Sequence, residues 1–100
     1  MKSAVGVIGG LGPAATLDFH ARLLQFSEAA SDQDHLRLII DSNPQVPDRN
    51  RALAGTGESP GPPLAATAAG LERAGADVIV MACNAAHAWQ PEIEAAISVP

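Results

Sequence analysis

Residues 4–16 read AVGVIGGLGPAAT, and this stretch decides the fold. Residues 4–8 are apolar and rich in valine and isoleucine, which is typical of a parallel strand covered on both faces. The glycines that follow predict a tight turn. Pro13 suits the first position of a helix, because the N–H that proline lacks has no partner there in any case. The stretch therefore predicts a strand, a turn and a helix in direct succession.

Similar units follow along the chain. Residues 36–40 and 77–81 predict two more strands, and the second of these has the continuous apolar character of a strand covered on both faces. Residues 14–30 and 64–74 have helical spacing, Gly75 is suited to end the second helix, and a third helix is expected from about residue 91. A broad buried stripe is expected along the first helix, formed by Leu17, Phe19, Ala21, Leu23, Leu24 and Phe26.

The resulting order, βαβαβα, predicts an α/β protein, a three-layer sandwich with a mainly parallel sheet. Residues 42–63 differ from the rest, because they hold five of the eight prolines. We expect part of this stretch to form a long loop after the second strand. Loops of that length in compact domains are often functional.

Composition narrows the classes of function. The net charge of −5 argues against a nucleic-acid surface, which needs clustered basic residues. No apolar run is long enough to span a membrane and no signal-peptide pattern is present, so a cytoplasmic protein is expected. The only lysine, Lys2, lies at the N-terminus, which disfavours pyridoxal phosphate chemistry. We predict no cofactor and no metal site, since Cys83 and His87 would supply only two ligands.

Ligands of open parallel sheets bind at the carboxyl ends of the strands. Three segments are expected there: the glycine turn of residues 9–12, the stretch that holds Asn43 and Arg49, and residues 83–87. Cys83 would lie where a strand meets a helical turn, a place that favours an anion. His87 is a candidate proton partner for its thiol. A buried, unreactive cysteine is the alternative.

The glycine turn permits a second interpretation. Residues 10–15 satisfy a dinucleotide-binding pattern with alanine in the last place, although Pro13 removes one donor at the start of the helix. A tight turn between a strand and a helix explains the same glycines.

Several of these segments together resemble a known family. Residues 7–16, VIGGLGPAAT, resemble the N-terminal signature of the aspartate/glutamate racemase family, in its aspartate racemase branch. Residues 80–87, VMACNAAH, are similar to the first cysteine motif of that family, and residues 44–49, PQVPDR, are similar to its substrate loop. The resemblance implies a cofactor-independent racemase with two α/β lobes. Residues 1–100 would be the N-terminal lobe, and the C-terminal lobe is absent from this sequence.

The resemblance also implies roles for individual residues. Cys83 would be one of two acid/base thiols, Asn84 would lie near the α-carboxylate of the substrate, and Arg49 would pair with the side-chain carboxylate of aspartate or glutamate. The other predicted substrate-binding residues are Gly10, Leu11, Gly12, Thr16, Asn43, Ala85 and His87.

Ala85 stands where the family usually has threonine, which leaves the choice of acidic substrate open. Two other functions also stay open. One is that of a related thiol-dependent isomerase or decarboxylase acting on another dicarboxylate, and the other is a non-catalytic module that binds carboxylates or dinucleotides. A homodimer is possible, since a three-stranded sheet has exposed edges.

Overall fold

The computed structural model describes residues 3–100, so the expectation for Lys2 falls outside the described residues. Three parallel strands form one sheet: β1 (Ala4–Gly9), β2 (Arg37–Ser42) and β3 (Val78–Met81). Their order is β2-β1-β3, with β1 in the centre and both pairings parallel. The predicted α/β fold with a parallel sheet is confirmed.

The helices alternate with the strands as predicted. They are α1 (Pro13–Phe26), α2 (Arg49–Leu53), α3 (Gly61–Arg73) and α4 (Gln90–Ala95), with 3-10 turns at Asp32–Asp34 and Ala85–Trp89. α3 begins earlier than its apolar spacing indicated, because two prolines fit in a first turn whose N–H groups need no partner. Gly75 follows the end of α3 with a φ of +108°, which confirms its predicted place.

The main core lies between the sheet and α3. Nine buried residues form it: Ile8, Leu11, Val46, Leu64, Ala68, Leu71, Ala76, Ala86 and Ile93. α3 approaches the sheet closely at Gly6, where an added Cβ would lie 3.2 Å from the Cβ of Leu71 in α3 and 2.9 Å from Ala76 and Ile79. A small residue in the central strand therefore sets the distance between the helix and the sheet.

α1 lies on the opposite face. Ile39 packs against the core on the α3 side, so its neighbour Leu38 points the other way, where it lines a cleft with residues of α1. The predicted buried stripe on α1 is wrong, because none of its six residues is buried: Leu17 and Phe26 are 72% and 75% exposed, and the best covered two are only half-buried. Thr16, in its first turn, is the buried residue of α1, and within residues 3–100 nothing covers the outer side of the helix.

The apolar run of residues 77–81 predicted a strand covered on both faces, as in the centre of a sheet, and this is also wrong for the described residues. β3 is at the edge of the sheet and all four of its residues are half-buried. The N–H of Ile79 donates a hydrogen bond of 2.8 Å to the carbonyl of Pro100, so the chain returns beside this edge. No helix in the described part of the chain is long and apolar enough to cross a bilayer.

The long loop after β2 contains a helix that the sequence analysis did not predict. Asp48 begins α2, and its Oδ1 accepts hydrogen bonds from the N–H groups of Asn50 and Arg51 at 2.9 and 3.1 Å. An aspartate at this position is the usual way to satisfy the free donors of a first turn. This cap fixes the direction in which α2 leaves the loop.

The turns after β1 and β2 touch each other at Gly10. Its φ is +87°, and an added Cβ would lie 2.7 Å from the carbonyl oxygen of Asn43. The N–H of Asn43 donates to the carbonyl of Gly9 at 3.1 Å, which holds the two turns together. Only glycine satisfies both the backbone angle and the contact.

We therefore expect Gly10→Ala to lower the free energy of unfolding by at least about 3 kcal/mol, since it adds a backbone clash to the cost of a positive φ. Gly55 is a matched control, because its φ is +78° but nothing lies within 4 Å of its Cβ position. Gly55→Ala should cost only about 1–2 kcal/mol. Equal losses for the two variants in chemical denaturation would contradict the close contact at Asn43.

Glu72 ties the end of α3 to the segment after α4. Its carboxylate accepts hydrogen bonds from the hydroxyl and the N–H of Ser98, both at 2.7 Å. The Ser98 hydroxyl, and then the Ser98 N–H, hold the pKa of Glu72 below its ordinary value.

A carboxylate whose pKa is lowered by folding stabilises the protein above its unfolded pKa, and this contribution disappears as the pH falls through the folded pKa. We expect Glu72→Gln to lower the thermal midpoint at neutral pH. The difference from the unsubstituted chain should shrink as the pH falls below the ordinary glutamate pKa. A difference that stays constant across that range would contradict the assigned hydrogen bonds.

Candidate functional site

A cavity of about 480 Å³ opens at the carboxyl end of the sheet. Its walls come from the loops after all three strands, as the rule for open parallel sheets predicts. The lining residues are Leu11, Pro44, Val46, Asp48, Arg49, Asn50, Cys83 and Ala85. A thiol and a guanidinium thus face one cavity.

Cys83 is half-buried, and it is the free thiol of this cavity. One side of the residue packs against the core, while the residue also lines the cavity wall. This placement does not fit a cysteine enclosed by hydrocarbon. A small ligand that enters the cavity can reach the sulfur.

Arg49 is held in place by its own loop. Its Nη1 donates hydrogen bonds to the carbonyls of Val46 and Pro47 at 3.2 and 3.3 Å. The neighbouring Asp48 carboxylate is directed to the backbone of α2, and Arg49 forms no ion pair among residues 3–100. The Nε and Nη2 donors therefore remain available, and a carboxylate is the group that a guanidinium binds best.

Val46 anchors the loop that carries Arg49 in the hydrophobic core. It is only 5% exposed and belongs to the same core cluster as Leu11 and Ala86. The sequence analysis marked residues 44–49 as similar to a substrate loop but assigned a site role within it only to Arg49, so the individual contributions of Val46, Pro44 and Asp48 were not predicted, and Asn50 was missed altogether. The available signal was an isolated valine between two prolines, which is out of place in a solvated loop.

The glycine turn shapes the cavity indirectly. The Thr16 hydroxyl accepts a hydrogen bond of 2.8 Å from the Gly10 N–H and donates one of 3.1 Å to the carbonyl of Gly12. Thr16 is buried, and none of these three residues lines the cavity. Their neighbour Leu11 does. Because the Gly10 donor is occupied and Pro13 has none, this turn is poorly equipped to hold a pyrophosphate.

Three other predicted residues lie outside the cavity. Asn43 is used in its own turn, where its Oδ1 accepts from the Gln45 N–H at 3.0 Å. Asn84 is exposed and precedes the 3-10 turn of residues 85–89. His87 lines a different cleft, where its Nδ1 lies 3.4 Å from Oε1 of Gln90.

The 3-10 turn explains the position of His87. The prediction assumed α-helical spacing from Cys83 to His87, but Cys83 lies before the helical turn, which begins only at Ala85 and is of the 3-10 type with about three residues per turn, so that spacing does not bring the two side chains to one face. Of the predicted residues, the structure brings Leu11, Arg49, Cys83 and Ala85 together in the cavity. Within residues 3–100 no group of three His, Cys, Asp or Glu side chains could hold a metal.

The chemistry of the cavity follows from its residues. Arg49 offers positive charge and directed donors, and Cys83 offers a group that can take or give a proton. Leu11, Val46 and Ala85 supply apolar walls. The arrangement suits a small anionic ligand whose reacting atom lies next to the sulfur.

The chain is similar to proteins of known type. It is 29% identical to a broad-specificity amino-acid racemase of Bacillus subtilis over 96% of this chain and 43% of that protein. Its structure matches that of an aspartate racemase from Picrophilus torridus with a TM-score of 0.86 and 42% identity, over 90% of this chain and 39% of the other.

An aspartate racemase homologue from Pyrococcus horikoshii matches the whole chain with a TM-score of 0.76 and 28% identity, over 43% of its own length. The chain thus spans about two fifths of the length of these relatives. Residues 8–100 match the sequence profile of a family described as Asp/Glu/Hydantoin racemase. The chain belongs to the Asp/Glu/hydantoin racemase family.

Proposed function

We propose that this chain is the N-terminal α/β lobe of a cofactor-independent racemase of an acidic amino acid, and that Cys83 is one of its two proton-transferring thiols. The observation that supports this most is that Cys83 and Arg49 line the same cavity. The similarity to an aspartate racemase at 42% identity agrees with it.

The proposed reaction moves one proton on each side of the α-carbon. The Cys83 thiolate removes the α-proton and becomes a thiol, while the electron pair of the broken C–H bond moves onto the α-carboxylate. A second acid then returns a proton to the opposite face. Fixed donors near the carboxylate stabilise the negative charge that develops there.

The second acid must come from outside these residues. Cys83 is the only cysteine of the sequence, and the relatives are more than twice as long as this chain. We propose that the remaining part of such a longer protein closes the cavity from the open side and supplies the second thiol. This chain would then hold one half of the active site.

The substrate contacts follow from the same cavity. Arg49 would bind the side-chain carboxylate through its free donors. Asn84 lies outside the cavity, and its proposed place near the α-carboxylate rests on the family resemblance and on its position next to Cys83 in the chain. Leu11 and Ala85 would contact the carbon skeleton. The glycine turn with Thr16 would contribute by holding Leu11 in position.

A related function is favoured by one observation. Ala85 contributes a methyl group to the cavity wall, where the family usually has a hydroxyl that can donate to a carboxylate. A thiol-dependent isomerase or decarboxylase of another dicarboxylate is therefore the second candidate. A comparison of aspartate and glutamate with dicarboxylates that lack an amino group distinguishes the two.

Alkylation of Cys83 measures access to the cavity, because no other cysteine is present. We expect L-aspartate to slow the reaction of Cys83 with iodoacetamide in a saturable manner, followed by mass spectrometry. Arg49→Gln should weaken this protection about tenfold or more, since hydrogen bonds to charged groups contribute about 1.5–3 kcal/mol.

Arg51→Gln is the matched control, because Arg51 lies two residues further in α2, is exposed and does not line the cavity. In this variant, L-aspartate should slow the alkylation of Cys83 as much as it does in the unsubstituted chain. The proposal is wrong if aspartate gives no protection, or if the two arginine variants lose protection equally.

A further expectation concerns the activity of the isolated chain, because Cys83 is the only thiol in its half of the proposed site. The isolated chain should not interconvert L- and D-aspartate at an enzymatic rate, because racemisation by two bases needs a group on each face. Chiral chromatography of the amino acid after incubation measures this. Rapid racemisation by the chain alone, abolished by Cys83→Ser, would contradict the proposed division of the site between two lobes.

A further inference from the structure

Asp48 is a negatively charged residue in the wall of the candidate cavity. Among the described residues that line this cavity, Arg49 is the one cation and Asp48 is the one carboxylate. The two side chains form no ion pair with each other in the described chain, so neither charge is neutralised by direct contact. The cavity therefore presents a positive group and a negative group to a ligand.

The Asp48 carboxylate has an oxygen that the fold does not use. Its Oδ1 accepts both of the capping hydrogen bonds, from the N–H groups of Asn50 and Arg51. Within residues 3–100 no donor binds Oδ2. Because Asp48 is exposed, this second oxygen is accessible to a ligand in the cavity.

The cap on α2 does not require a charge at this position. Asparagine and serine cap a helix about as well as aspartate does. In a cavity that binds only carboxylates, the negative charge of Asp48 would repel the ligand. An aspartate next to Arg49 is suited instead to a ligand that carries a positive group as well as a carboxylate.

We propose that Asp48 is a specificity-determining residue whose Oδ2 accepts a hydrogen bond from the α-ammonium of an amino acid while Arg49 binds the side-chain carboxylate. This inference rests on the proposed function and narrows it. It selects acidic amino acids over dicarboxylates that lack an amino group, and so it favours the racemase over the second candidate.

The origins of the three groups agree with this assignment. Asp48 and Arg49 follow β2, whereas Cys83 follows β3. Two contacts from the first loop fix the orientation of the ligand, one at the ammonium and one at the side-chain carboxylate. The sulfur, which comes from the second loop, is left to act on the α-proton.

The same contact assists the proposed proton transfer. A carboxylate beside an amine favours the protonated form of that amine. An ammonium on the α-carbon withdraws electrons, so it stabilises the negative charge that develops when the Cys83 thiolate removes the α-proton. Asp48 exchanges no proton in this step and acts through its charge.

Succinate tests the assignment, because it is aspartate without the amino group. The measurement is the rate at which iodoacetamide alkylates Cys83 with and without each ligand, and the ratio of the two rates cancels any change in the reactivity of the thiol itself. Asp48→Asn keeps the cap and removes the charge. It should weaken protection by L-aspartate about tenfold, since a hydrogen bond between charged groups is lost.

Protection by succinate should change in the opposite direction. Asp48→Asn should strengthen it about twofold to fivefold, because the repulsion between like charges disappears. An unfolded variant cannot produce such a gain, so the result separates a lost contact from a lost fold. Asp48→Ser also keeps a capping oxygen without a charge, and it should reproduce both changes.

Asp41→Asn is the matched control. Asp41 is an exposed carboxylate of β2 that does not line the cavity, and this variant has the same net charge as Asp48→Asn. It should leave protection by both ligands unchanged.

The outcomes distinguish this inference from the proposed function. If neither ligand protects Cys83 in any of these chains, the proposed function is wrong and the role of Asp48 falls with it. If L-aspartate protects Cys83 but the Asp48 variants alter protection by both ligands by the same factor, or Asp41→Asn has the same effect, only the role of Asp48 is overturned. A change of preference from L-aspartate towards succinate that is confined to the Asp48 variants supports it.

Discussion

The site depends on the burial of one apolar residue from the loop after each strand. Leu11 follows β1, Val46 follows β2 and Ala86 follows β3, and all three belong to one buried cluster. Burying a valine or a leucine contributes about 1.5–3 kcal/mol. These residues therefore tie the loops after the three strands to one core. Arg49 lies three residues after Val46, and Cys83 lies three residues before Ala86, so the same packing brings the guanidinium and the thiol to one cavity.

The sequence predicted the architecture well, because hydrophobic periodicity reports directly on strands and helices. It failed where tertiary context decides. α2 has five residues within a proline-rich stretch, which is too short for a periodic signal. The outer side of α1 is apolar but exposed, since a pattern shows which residues are apolar and not whether a neighbour covers them.

The sequence predicted those site residues whose side chains are chemically reactive or charged. Cys83 and Arg49 stand out as a thiol and a cation at strand ends, whereas Val46 acts only through packing and carries no chemical signal. His87 was expected near Cys83 on helical spacing, and the 3-10 turn places it in another cleft.

Binding of an acidic amino acid to the cavity tests the central claim most directly, and it can be followed by an NMR titration of the isotopically labelled chain with L-aspartate. The account predicts that the backbone amide signals of Val46, Arg49, Cys83 and Ala85 shift together and saturate with one dissociation constant. The signal of His87 should move far less. Changes confined to the cleft between α1 and β2, or separate titrations of the Arg49 and Cys83 loops, would contradict a single site shared by these residues.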